Sequence, residues 1–100
     1  MKPKITEHDL TKGIRNLLRT CGIWHYKAWQ GMGSMPGVSD IIGCHKGKFF
    51  AIEVKRPDGK PTDNQVQFQL RVREAGGIAF IARSVDDVID GLGIRDRFLV

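Results

Sequence analysis

The chain has 100 residues, the usual length of one domain, and 41% of them are apolar, which is enough to form a hydrophobic core. Its formal charge of +5 favours an anionic partner such as nucleic acid, although a basic surface that is simply solvated is an equal alternative. No segment approaches the roughly 20 apolar residues that cross a bilayer, and the N-terminal MKPKITEHDL lacks the apolar stretch of a signal peptide. These features predict a single domain over residues 1–100 that is soluble and cytoplasmic and has no membrane partner.

The two cysteines exclude two further classes of protein. Cys21 and Cys44 are too few and too far apart in sequence for a disulfide framework or a zinc site. We expect both to be buried free thiols in a reducing compartment.

The first third of the chain predicts a helix, a strand and a loop. Thr6, followed by Asp9 three residues later, resembles a helix capping box, and Gly22 is a plausible end of that helix. The apolar stripe of the helix is formed by Leu10, Ile14, Leu17, Leu18 and Cys21. Residues 23–29 are aromatic-rich and predict a strand, and the glycines and proline of residues 30–37 predict a loop.

The remaining elements alternate between strands and helices. They comprise strands at 38–43 and 48–55, a helix at 63–75 capped by Thr62, a strand at 78–83, and a short helix that begins at Ser84. The order is α-β-β-β-α-β-α, and the helix at 63–75 allows a right-handed crossover between two parallel strands. The predicted fold is therefore α/β, a mixed sheet flanked by helices.

The predicted hairpin brings three charged side chains together. If Lys46 and Gly47 are the two loop residues, Asp40 lies directly opposite Glu53 and shares a face with it. Lys55 follows Glu53 by two residues, so it lies on the same face. A bulge or a longer turn would shift this register.

Two adjacent carboxylates repel each other unless a cation lies between them. Carboxylate oxygens, with water in the remaining coordination positions, suit Mg²⁺ or Mn²⁺. The backbone carbonyl of Val54 is the expected additional ligand. Such an ion polarises a phosphoryl oxygen and lowers the pKa of a bound water, which Lys55 would orient or deprotonate. The alternative is that Glu53 and Lys55 form a surface ion pair on a solvent-facing strand end.

Three short motifs occur in an order typical of one nuclease superfamily. Gly-Val-Ser-Asp at 37–40, Ile-Glu-Val-Lys at 52–55 and Thr-Asp-Asn-Gln at 62–65 resemble the PD-(D/E)XK nucleases. The closer resemblance is to the VRR-NUC family, the virus-type replication and repair nucleases, and it covers roughly residues 5–92. The chain departs from the family at Ser39, where proline often precedes the aspartate.

The resemblance implies a Mg²⁺- or Mn²⁺-dependent DNA endonuclease with the PD-(D/E)XK fold. By position, Asp40 and Glu53 become metal ligands, Lys55 becomes the catalytic lysine, and Gln65 becomes the family's helix glutamine. Glu7 falls where the family commonly has an acidic residue on the first helix and is a further candidate ligand. Gln65 and Glu7 each have a structural alternative to a role in the active site. Gln65 also fits a capping box, and an acidic residue such as Glu7 is favoured by the helix dipole in a first helical turn.

The resemblance also implies a homodimer that acts on branched DNA such as four-way (Holliday) junctions, and hence a role in DNA repair. The small core and the apolar run Phe98-Leu99-Val100 agree with dimerisation. Two rivals remain open: a restriction-type endonuclease, for which 100 residues leave little base-reading structure, and a catalytically inert nucleic-acid-binding or assembly module.

Basic and aromatic side chains provide candidate contacts to DNA. The predicted phosphate contacts are Lys12, Arg15, Arg19, Lys46, Lys48, Arg56 and Lys60. Trp24, Tyr26 and Trp29 are expected in the core, with stacking on bases as the alternative. The three histidines share no ligand spacing, so we expect no catalytic histidine.

Overall fold

The computed structural model describes residues 5–99 and contains three helices and four strands in the predicted order. They are α1 (Glu7–Thr20), β1 (His25–Lys27), β2 (Ile41–His45), β3 (Lys48–Val54), α2 (Asp63–Glu74), β4 (Ile78–Ala82) and α3 (Val85–Gly91). A 3₁₀ helix at Arg95–Phe98, which the sequence did not predict, follows α3. No helix within the described part of the chain has the length and apolarity to cross a membrane.

The strands form one mixed sheet in the order β1-β2-β3-β4. The first three strands are antiparallel, and β4 lies parallel to β3 because α2 connects them as a crossover. This confirms the predicted α/β class. β1 is shorter than the predicted strand at 23–29, and β2 begins at Ile41 rather than at Val38.

The register of the β2–β3 hairpin is the predicted one. Ile41 lies opposite Ile52, and the pairing continues to the turn without a bulge. Lys46 and Gly47 have φ values of 52° and 81°, as a two-residue hairpin turn requires. Continued by one residue beyond the last pair, this register places Asp40 opposite Glu53.

The core has a layer on each face of the sheet. On one face, α1 and α3 bury their apolar stripes against β2, β3 and β4, and Ile14 and Leu18 of α1 are fully buried, as predicted. On the other face, α2 packs over β3 and β4 through Phe68 and Val72. Because side chains alternate along a strand, Glu53 is directed to the α2 face.

Two predictions about burial are wrong. Both cysteines are free, but Cys44 is exposed and Cys21 is only half-buried. Trp24, Tyr26 and Trp29 are 64%, 47% and 71% exposed, so they are not core residues. The three aromatic side chains are exposed because β1 is an edge strand of the sheet, and α2 packs over β3 and β4 rather than over β1.

Candidate active site

Asp40 is held between two strands. Its backbone carbonyl accepts the N–H of Ala28 at 2.8 Å, and its Oδ2 accepts the N–H of Val54 at 2.7 Å. The ladder between β2 and β3 ends at Ile41 and Ile52, so the Asp40 side chain supplies the acceptor that Val54, two residues further along β3, would otherwise lack. Local pairing therefore fixes both the position and the direction of this carboxylate.

Glu53 lies beside Asp40 and is 1% exposed. Burial, followed by the charge of Asp40 and a hydrogen bond with it, raises the pKa of Glu53 to about 8. Its Oε2 has no hydrogen-bond partner among the described residues. A buried carboxyl next to a second one needs a proton or a cation to compensate its charge.

Lys55 provides the nearest positive charge. Its Nζ lies 3.8 Å from Oε1 of Glu53, and its side chain is 16% exposed. Glu53 and Lys55 therefore form the ion pair of the alternative interpretation, but the pair is largely buried and does not lie on a solvent-facing surface. The three predicted side chains thus form one group at the end of β3, in which Glu53 is buried and Asp40 and Lys55 are partly exposed.

Few side chains in this group could act as ligands of a metal ion. Among residues 5–99, no three His, Cys, Asp or Glu side chains are close enough to hold a metal ion together. Glu7 therefore does not complete a three-carboxylate site. The N–H of Val54 faces Asp40, and the N–H and C=O of one strand residue point the same way, so the Val54 carbonyl faces that side too. Two carboxylates, one carbonyl and water form a ligand set of the kind that Mg²⁺ accepts.

A cleft of about 340 Å³ opens beside Lys55. It is lined by Thr6, Glu7, Lys55, Arg56, Gly59 and Lys60. Two of the predicted phosphate contacts, Arg56 and Lys60, therefore lie next to the predicted catalytic lysine. Glu7 lines the same cleft from the first turn of α1.

Arg83 holds the loop that follows Lys55, and sequence reasoning missed it. Its guanidinium donates to the carbonyl of Arg56 at 2.6 Å and to that of Gly59 at 2.7 Å. Its own N–H donates to Asp87 at the first turn of α3. No sequence signal distinguishes an arginine that binds carbonyls from one that is solvated at a strand end.

Gln65 acts in a capping box at the start of α2. Its Oε1 accepts the N–H of Thr62 at 2.8 Å, while its own N–H donates to the Thr62 hydroxyl at 3.2 Å. The structural alternative is therefore present, and a catalytic role for Gln65 stays a prediction. Ser39, the departure from the family pattern, is buried and 1% exposed.

The other predicted phosphate contacts fall into two groups. Lys12, Arg15 and Arg19 line a groove of about 220 Å³ together with His8, Thr11 and Lys27. Lys27, which the sequence analysis did not select, comes from β1 and is exposed. Lys46 and Lys48 lie at the hairpin turn, the opposite end from Glu53, at a separation of roughly 17 Å. The structure does not bring these two lysines to the candidate site.

Comparisons with known proteins identify the fold. No protein-family model matches the sequence, and no curated protein matches it either. Among solved structures, one described as "VRR_NUC domain" superposes with a TM-score of 0.70 and 25% sequence identity, covering 84% of this chain and 94% of that chain. This likeness agrees with the three motifs in their order, so the chain has the PD-(D/E)XK-like fold and resembles VRR-NUC nuclease domains.

Proposed function

We propose that this protein is a metal-dependent DNA endonuclease that hydrolyses phosphodiester bonds with Asp40, Glu53 and Lys55. The supporting observation is the contact between two carboxyl groups, one of them almost fully buried, beside a lysine that reaches a cleft. A domain that only binds an anionic backbone has no use for two carboxylates at such a place. The VRR-NUC likeness supports the same chemistry.

The residues present fit Mg²⁺ or Mn²⁺. Glu53 carries a buried oxygen without a partner in the described residues, and Asp40 keeps one carboxylate oxygen that is not bonded to Val54. These oxygens and the Val54 carbonyl would hold the ion, with water in the remaining positions. When bound, the ion would polarise the phosphoryl group and lower the pKa of water.

Lys55 is the residue of this group best placed to act on substrate. Glu53 holds its ammonium at 3.8 Å, and its side chain stays partly open to the cleft. The ammonium would orient the attacking water and stabilise the negative charge on the phosphoryl oxygens in the transition state. Arg56 and Lys60 on the same cleft would bind flanking phosphates.

The substrate that we propose is branched DNA, including four-way junctions, cut by a homodimer. The family resemblance suggests both properties, and the charge of +5 suits a polyanion. A two-fold dimer would place two sites symmetrically on a symmetric junction. Phe98 and Leu99 are 42% and 69% exposed and are candidates for the interface, whereas Val100 lies outside the described residues.

A panel of end-labelled substrates tests the proposed function. Single-stranded, nicked, flap and four-way DNA are incubated with Mg²⁺, Mn²⁺ or EDTA, and the products are resolved on denaturing gels. We expect cleavage with either ion, none in EDTA, and the highest rate on branched DNA. Undiminished cleavage in EDTA would refute the metal mechanism, and binding without cleavage under all conditions would identify an inert binding module.

A further inference from the structure

The indole of Trp29 is exposed and yet held in place. It is 71% exposed, its Nε1 donates to the carbonyl of Met32 at 3.0 Å, and its ring lies directly against Gly31. A Cβ on Gly31 would lie 2.2 Å from Cζ2 of the indole, so only glycine allows this contact. A large aromatic surface is therefore presented to solvent in a fixed orientation.

The residue before this indole is hydrogen-bonded to the candidate active site. Ala28, the residue before it, donates its N–H to the carbonyl of Asp40 at 2.8 Å. The loop that follows is closed by a hydrogen bond of 2.9 Å from Gln30 to the Val38 carbonyl. At its end Gly37 packs so closely on the Asn64 carbonyl that a Cβ would lie 2.0 Å from it. The loop is thus pinned between β1 and the first turn of α2.

The surroundings favour a nucleobase as the occupant of this surface. The chain carries a charge of +5, and the cleft beside Lys55 adds Arg56 and Lys60. A rigid aromatic ring loses little conformational freedom when it stacks, and every base offers it a π-face. Met32 and Met35 on the same loop are 97% and 59% exposed and offer apolar contact to the edge of a stacked base.

We infer that Trp29 stacks on an unpaired nucleobase of DNA beside the scissile phosphate, and so directs cleavage to places where pairing is interrupted. The inference rests on the proposed nuclease function. A base within continuous duplex is already stacked on both sides and has no free face to offer. Binding should therefore be strengthened by Trp29 on single-stranded or branched DNA and much less on intact duplex.

The chain contains a matched control. Trp24 is 64% exposed and lies on the same edge of the sheet, four residues before Ala28 and thus roughly 13 Å away. It contacts Tyr26 edge to face, with ring centroids 5.6 Å apart, and its own backbone is hydrogen-bonded to Cys44 in the sheet rather than to Asp40. Since Trp24 and Trp29 are the two tryptophans of the chain, exchanging either for phenylalanine leaves a single tryptophan as the reporter.

The first experiment measures tryptophan emission in EDTA, where no cleavage occurs under the proposed mechanism. In Trp24→Phe, single-stranded and four-way DNA should quench Trp29 strongly, and intact duplex should quench it weakly. In Trp29→Phe, the emission of Trp24 should change little with any of these DNAs. Trp29 emission that stays unchanged when the DNA is shown to bind would overturn the inference. Quenching that increases with protein concentration in the absence of DNA would also overturn it, because it would mean that Trp29 contacts a second copy of the chain.

The second experiment measures DNA affinity in the same buffer. Trp29→Ala should weaken binding to single-stranded DNA about 5- to 100-fold, Trp29→Phe should retain most of it, and Trp24→Ala should match wild type. If Trp29 merely packs the loop, Trp29→Leu should bind as well as Trp29→Phe, and stacking is then refuted. Because both readouts are free of cleavage, a failed nuclease assay with Trp29 quenching would refute only the proposed function.

Discussion

The carboxylate of Asp40 completes the hydrogen bonding of β3, since its Oδ2 accepts the backbone N–H of Val54 at 2.7 Å where the ladder with β2 has ended. The same contact brings Asp40 beside Glu53, and its charge contributes to the raised pKa of that residue. One side chain thus has an observed structural role and a proposed chemical role, which substitutions can separate.

Asp40→Asn should abolish cleavage while the protein stays folded. The amide oxygen can still accept the Val54 N–H, but the negative charge that we propose for metal binding is gone. Asp40→Ala should also be inactive and should lose about 1–3 kcal/mol of stability, because it leaves the Val54 N–H without its acceptor. Thermal melting and single-turnover cleavage give the two readouts.

DNA binding serves as the control for these variants. Asp40→Asn should bind DNA as well as wild type or better, because it removes negative charge near the phosphate, and Glu53→Ala should bind at least as well as wild type. Binding should weaken as salt rises, since lysine and arginine contacts release counterions. A folded variant that loses binding together with cleavage would show that the assigned roles are wrong.

The stability of the metal-free protein should fall as pH rises from about 4.5 to 8. Over this interval the folded state retains a proton on Glu53, whose pKa is raised to about 8, whereas the unfolded state has released it near the ordinary value of 4.5. Each increase in pH within this interval therefore favours unfolding, by a total of roughly 5 kcal/mol. Below and above the interval this group adds no pH dependence, and melting in EDTA from pH 4 to 9 tests this.

Two controls belong with the pH series. Glu53→Gln should lose this pH dependence and should be more stable than wild type at pH 8, because it has no proton to release. Mg²⁺ at ten times its Kd should stabilise wild type by about 1.4 kcal/mol. The ion should leave the melting temperature of Asp40→Asn unchanged. An equal Mg²⁺ effect on both proteins would exclude Asp40 as a ligand.

Lys55→Ala should lower the cleavage rate by orders of magnitude. Its ammonium is 3.8 Å from Glu53, and its removal deletes the positive charge that we place near the attacked phosphate. Lys55→Arg should recover only part of the rate, because guanidinium is bulkier and does not lose its proton near neutral pH. Single-turnover cleavage of a four-way junction is the measurement. Wild-type rates in a folded Lys55→Ala protein would remove Lys55 from the mechanism.

Gly37→Ala should destabilise the protein more than Gly33→Ala. Both glycines have positive φ, 76° and 89°, so alanine costs about 1–2 kcal/mol at either position. At Gly37 the new Cβ would also lie 2.0 Å from the Asn64 carbonyl, whereas at Gly33 nothing lies within 4 Å. Melting curves of the two variants provide the comparison, and equal losses would mean that the loop is not docked on α2 in solution.

We expect the protein to be a homodimer at micromolar concentration. A chain of 11.2 kDa buries a small core, and exposed Phe98 and Leu99 offer apolar surface near its C-terminal end. Analytical ultracentrifugation should give about twice the mass of the chain. A monomer throughout this range would remove the argument for paired cuts, and Leu99→Asp should shift a dimer towards monomer if this segment is the interface.

Local sequence was sufficient for the order of the helices and strands and for the placement of Asp40 beside Glu53. Capping residues, helical periodicity and a two-residue turn act over short distances, and the turn sets the register of every pair beyond it. Lys55 follows from the two-residue repeat of a strand. These interactions depend on neighbours along the chain, so a linear pattern contains them.

Burial and long-range contacts depended on how the layers pack. The helix α2 covers β3 and β4, which buries Glu53 and raises its pKa, and it leaves β1 uncovered, which exposes Trp29. The carbonyl contacts of Arg83 join residues 24 or more positions apart. Such contacts form only when distant elements pack together, because the energy of a side chain depends on its neighbours in space rather than on its neighbours in the sequence.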